Sequence, residues 1–224
     1  MLTSGVLLLC YIVLFYVKQS YEHFRLLVYN CFVESLADLL SKIKSTKRKH
    51  KTMLIGIDGV GGAGKTTLSN FLKENLPNLT IVQLDDFYST KLNRADRTRV
   101  LKQVIQPLEK DIQARYQIFD WVADSLTDWF AIEPGGLVVI EGVSALHTDF
   151  VESYDFRVWI ECFPSVGFKR GVRRDKIRDG VDNTDKWVNI WMPEEKEYIE
   201  QQDPKQHADF VLKMNLTPGV NTGC

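Results

Sequence analysis

Gly59-Val60-Gly61-Gly62-Ala63-Gly64-Lys65-Thr66 carries the residue types and spacing, G-x-x-x-x-G-K-[ST], that cradle a chain of phosphates. Glycines let successive backbone N–H groups curl inward, where a Cβ would obstruct them. A helix starting at the end of such a loop adds partial positive charge facing the anion. Lys65 is placed to reach the β- and γ-phosphates, and the Thr66 hydroxyl to hold Mg²⁺. Gly59, Gly61, Gly62, Ala63, Gly64, Lys65, Thr66 and Thr67 are therefore the expected nucleotide-binding set. An ordinary glycine-rich turn is the rival reading, but every fixed position of the pattern is filled. The expected ligand is a nucleoside triphosphate.

Two acidic positions extend this chemistry. Asp85-Asp86 ends the apolar run Thr80 to Leu84. A phosphoryl acceptor needs a carboxylate to take its hydroxyl proton and align it with the γ-phosphate. Asp85 is the expected base, with Asp86 assisting through Mg²⁺ or shaping the turn. Glu141 follows Leu137-Val138-Val139-Ile140, the pattern of a buried strand with its acid directed at Mg²⁺. The alternatives are a turn-capping Asp pair and a solvated Glu.

Arg170, Arg173, Arg174 and Arg178 follow Pro164, at spacings that put several of them on one helical face. Guanidinium groups neutralise charge on a transferring phosphoryl group. Arg174 and Arg178, nearest Gly180, are the expected clamp. Asp175, Lys176 and Asp179 interleave with them, so a salt-bridged surface competes with that reading. Tyr88, Tyr116, Asp120 and Trp121 supply aromatic walls and a hydrogen-bonding acid for an acceptor, with core packing and helix capping as the bland alternative. Trp187 and Trp191 read as core. The four histidines share no ligand spacing.

These groups need strand ends to hold them. Met53 to Ile57, Thr80 to Leu84, Leu137 to Ile140, Phe156 to Ile160 and Phe210 to Leu212 read as short buried strands. Thr67–Leu76, with Leu68, Phe71, Leu72 and Leu76 at helical spacing, reads as a helix. A second helix, capped by Asp96, is expected to stop before Pro107, and a third to run from Trp121 to Phe130. Strands alternating with helices imply an α/β three-layer sandwich with a mostly parallel sheet of about five strands, plus an N-terminal helical extension. In such sheets ligands bind beyond the carboxyl ends of the strands, where Lys65, Asp85 and Glu141 fall.

The chain has 224 residues, 45% hydrophobic and 25% charged, the composition of one globular domain with an appendage. A net charge of −1 argues against nucleic acid as a partner. Cys10, Cys31, Cys162 and Cys224 are scattered, which suits a reducing, cytoplasmic setting. Gly5 to Val17 is a thirteen-residue apolar run, short of the about 20 residues of a membrane span. It reads as a helix covering apolar surface, a poorly ordered extension or a membrane contact. From Phe24 to Ile43 apolar residues recur every three or four positions, an amphipathic helix for packing on the domain or on a second copy of the chain, hence a homodimer. Six basic residues between Lys42 and Lys51 read as a solvated linker, or as attraction to an anionic membrane surface. The expected divisions are 1–46, 47–52, 53–215 and a tail, 216–224.

Together Ile55 to Leu68, Leu84-Asp85-Asp86-Phe87-Tyr88, Tyr116 to Trp121, Val139 to Val143, Arg173-Arg174-Asp175 and Trp187 to Tyr198 resemble the uridine kinase branch of P-loop kinases, the group of phosphoribulokinase and pantothenate kinase. The resemblance spans roughly Thr52 to Leu212. It implies ATP, Mg²⁺, a lid of arginines, and Asp85 as base. At Phe119-Asp120-Trp121 the chain departs from the Phe-Asp-His-Pro of established uridine kinases. The expected function is ATP-dependent phosphorylation of a small molecule's hydroxyl group, a nucleoside or similar metabolite. The other classes are an ATPase or regulatory nucleotide-binding protein without an acceptor, and a membrane-tethered binding protein.

Overall fold

The computed structural model describes residues 35–89, 94–121, 123–178 and 180–214. Helix α1 (35–45) precedes strand β1 (Met53–Gly59), helix α2 (Lys65–Asn75) and strand β2 (Leu79–Gln83). A 3-10 turn (Leu84–Phe87) leads to a short ladder of β3 (Tyr88–Ser89) with β4 (Arg94–Ala95). Next come α3 (Arg97–Val100), a π-helical turn (Leu101–Ile105), α4 (Gln106–Glu109) and a hairpin of β5 (Ala114–Asp120) with β6 (Ser125–Ile132). β7 (Leu137–Glu141), β8 (Phe156–Glu161), α5 (Pro164–Arg178) and α6 (Thr184–Lys186) follow. A second π turn (Trp187–Trp191), α7 (Met192–Gln202) and β9 (Phe210–Lys213) close the described chain.

The main sheet has the order β2-β7-β1-β8-β9, with every pairing parallel. All residues of β1 and β7 are buried, because helices cover both faces and leave no side of these strands for water. One face packs Ile55, Ile57, Val139 and Val158 with α2, and the other packs Leu54, Val138 and Ile140 with Val104, Ile105 and Leu108. This is the expected three-layer α/β sandwich. Its register aligns Ile57 with Glu141 and Glu141 with Gln83, so the acid of β7 stands level with the ends of β1 and β2.

Helix α1 belongs to this packing. Leu39 and Ile43 are fully buried in the α2-side core, and each such burial contributes about 1.5–3 kcal/mol. The basic stretch that follows is tied down rather than free. The Lys49 N–H and Nζ bond Asp155 and the carbonyls of Glu152 and Tyr154, and the Lys51 N–H bonds Asp111. Residues 5–17, and the amphipathic stripe before residue 35, lie outside the described residues. Among the described residues no helix is long and apolar enough to cross a membrane.

Two elements differ from expectation. The helix predicted from Trp121 to Phe130 is instead the turn and second strand of the β5–β6 hairpin, so Tyr116 to Asp120 lies on a strand and not between helices. Thr127, Trp129, Phe130 and Ile132 favour a pleated surface. Asp124 turns the chain at φ 49°, a left-handed conformation that Asp tolerates and a continuing helix does not allow. The helix capped by Asp96, which accepts from the Arg99 N–H, runs past Pro107. Pro107 follows directly on the π turn, where the Gln106 N–H bonds back to the Leu101 carbonyl and the altered ladder takes in a residue without an N–H.

Candidate active site

The phosphate loop joins β1 to α2 as its sequence requires. Gly62 adopts φ 71°, and a Cβ there would run into the Gly167 carbonyl at the start of α5. A Cβ on Gly61 would lie 2.5 Å from the Trp187 ring. Glycine is thus needed twice, for backbone shape and for the close approach of later elements. Ala63 is buried, Gly64 precedes the first turn of α2, and Thr66 and Thr67 stand exposed within that turn.

Lys65 is buried, and its Nζ donates to the loop carbonyls of Gly59 at 2.7 Å and Val60 at 2.9 Å. Three acids around it have raised pKa values, each mainly because burial disfavours the charged form. Asp58, Glu141 and Glu195 are all partly held down by the Lys65 charge. The Thr66 hydroxyl donates to Glu141 Oε1 at 2.7 Å. Both groups are hard oxygen donors, as Mg²⁺ prefers. Among the described residues no three His, Cys, Asp or Glu side chains form a ready metal cage. Mg²⁺ is commonly held by one or two protein oxygens together with water and substrate phosphates. The site therefore suits both a triphosphate and Mg²⁺.

The strand end of β2 brings the acid pair alongside. Asp85 is exposed on the 3-10 turn, and Asp86 is half-buried beside it. Burial pushes the Asp86 carboxyl up to about 6; the Gln83 N–H opposes that shift and the Asp85 charge adds to it. Both charges also raise Glu141, so the three carboxylates form one electrostatic group around Thr66 and Lys65.

On the hairpin side, the Tyr88 ring packs on Trp121 at 4.0 Å and on Phe119 at 5.6 Å between centroids. Trp121 remains 51% exposed, leaving its outer face open to a ligand. Tyr116 is buried against Phe87, its hydroxyl pushed up to about 12 by burial and by Asp86. Asp120 Oδ1 accepts the Ala123 N–H at 2.9 Å and so shapes the hairpin turn that carries Trp121. The expected arginine clamp lies farther along α5. Arg174 pairs with the buried Asp175 at 3.1 Å, and Arg178 is exposed at the last residue of the helix.

Asp58, Glu195 and Tyr198, unassigned from sequence, and Trp187, expected only as core, complete the site. Asp58, buried at the end of β1, accepts the Gly59 N–H, the Leu146 N–H and the Tyr198 hydroxyl at 2.6–2.8 Å. Glu195 Oε1 accepts the Gly61 N–H at 3.0 Å. Trp187 is core-buried as expected, yet it lies against Gly61 and donates its indole N–H to Asp175. The available signals were an acid closing an otherwise apolar strand, and Glu195 with Tyr198 three residues apart on one helical face.

A model of the phosphoribulokinase / uridine kinase family matches residues 85–218, more than half of the chain. A model of the KAP family P-loop domain matches residues 29–133. A uridine kinase of Streptococcus uberis is 22% identical over 185 residues, which cover 73% of this chain and 87% of that protein. A uridine kinase of Halobacterium salinarum is 25% identical over 190 residues, or 70% and 78% of the two chains. Among solved structures, a possible uridine kinase from Bacillus stearothermophilus has a TM-score of 0.63 at 20% identity, over 80% of this chain and 97% of that one; this is a likeness of fold.

Proposed function

We propose that this chain, which belongs to the phosphoribulokinase / uridine kinase family, transfers the γ-phosphate of ATP to a hydroxyl group of a small nucleoside-like metabolite. A P-loop kinase is the coarse reading that family and fold support together. The observation that carries the finer one is the Thr66–Glu141 contact at 2.7 Å, with buried Lys65 beside it and the Asp85-Asp86 pair at the adjoining strand end. A loop built only to bind nucleotide has no need of that acid pair.

The loop amides and Lys65 hold the β- and γ-phosphates, and Thr66 with Glu141, assisted by Asp86, would hold Mg²⁺. That ion neutralises charge on the phosphates when bound. Asp85 accepts the proton of the acceptor hydroxyl as its oxygen bonds to the γ-phosphorus, while the bond to the bridging oxygen breaks and ADP leaves. Tyr88 and Trp121 flank the acceptor, Tyr116 and Asp120 support that wall, and Arg174 and Arg178 close over the transferring group. At residue 121, Trp in place of the His of established uridine kinases gives the acceptor a stacking surface instead of an imidazole.

ADP release, measured with and without nucleosides, sugars and vitamin alcohols, tests this reading. Release that depends on one acceptor supports it. Release of the same rate without any acceptor makes the protein an ATPase.

A further inference from the structure

The C-terminal helices grip the phosphate loop at three points. Trp187 lies against Gly61 and Gly171, Glu195 Oε1 accepts the Gly61 N–H at 3.0 Å, and the Tyr198 hydroxyl donates to Asp58 Oδ2 at 2.6 Å. The middle contact has the chemistry of a ligand. A carboxylate oxygen sits on a loop amide of the kind that receives phosphate oxygens, close enough to Lys65 to feel its charge. We infer that Glu195 and a bound triphosphate compete for the Gly61 amide, so that nucleotide binding releases α7 from the loop. This rests on the reading of the loop as the triphosphate site.

Like charges drive the exchange. Glu195 is half-buried, and burial already disfavours its ionised form. A triphosphate arriving beside it adds several negative charges at short range, where little water screens them. The carboxylate then gives up the amide.

Glu195→Gln tests this, because it keeps an oxygen for the Gly61 N–H and removes only the charge. ATP with Mg²⁺ is titrated into wild type and E195Q by calorimetry, with adenosine as the uncharged control. E195Q should bind ATP at least about 5-fold more tightly, the lower end of ordinary coupling between sites, with adenosine unchanged. Equal or weaker ATP binding by E195Q would overturn the inference while leaving the donor site standing. No ATP binding by either protein would overturn the donor reading and the inference with it. Hydrogen exchange of wild type needs no variant: with Mg-ATP the amides of 192–202 should exchange faster, and unchanged or slower exchange contradicts the release of α7.

Discussion

Tyr198 donates its hydroxyl to Asp58 Oδ2 at 2.6 Å, across 140 residues of chain, and so ties α7 to the strand end from which the phosphate loop springs. Asp58 is fully buried, and this is one of three hydrogen bonds that make its burial tolerable. Tyr198→Phe keeps the ring and deletes only the donor. The variant should lose about 1–3 kcal/mol, the usual penalty for a buried polar group left short of a partner. Urea denaturation checks it, and an unchanged midpoint would show that the bond is idle.

Leu39 makes the equivalent point for the N-terminal helix. It is fully buried among residues of β1, α2 and β8, not on a detachable arm. Leu39→Ala should cost about 2–5 kcal/mol, the range for deleting a buried leucine side chain. A loss below about 0.5 kcal/mol, typical of surface positions, would mean that α1 is not part of the cooperative unit.

Asp86 gives a pH signature. Its folded pKa is about 6 against an ordinary 3.8, so the folded chain binds the proton more tightly than the unfolded chain. Stability from this group is present below the unfolded value and is lost as pH rises through the folded one. Asp86→Asn should therefore melt higher than wild type at about pH 7, with the gap shrinking as pH falls toward about 4. Asp58 and Glu195 shift the same way in both proteins, while Glu141 is eased when the Asp86 charge goes, which widens the gap in the same direction. Melting curves across that range decide it, and a gap independent of pH would contradict the assignment.

The donor half of the site was legible in the sequence because its parts are contiguous. Loop, flanking strand and following helix occupy one stretch of chain, and Glu141 closes an apolar run too short for a helix. The hairpin was not legible. Residues 121–130 mix Trp, Leu and Phe with Asp, a pattern with neither helical nor strand period, and only the left-handed turn at Asp124 settles the matter. Glu195 at Gly61 is a contact between residues 134 apart, which no local pattern encodes. The role of Trp187 falls between these cases: its burial could be read from its type, but not the loop it covers.

The proposed transfer depends most on Asp85 as the base that takes the acceptor's proton beside bound ATP. ADP formation with the best acceptor, measured beside ATP binding for wild type and Asp85→Asn, tests it most directly. Turnover should fall by about 10²-fold or more, with the ATP Kd changed by less than about threefold. Asp85→Asn turning over near the wild-type rate would contradict it.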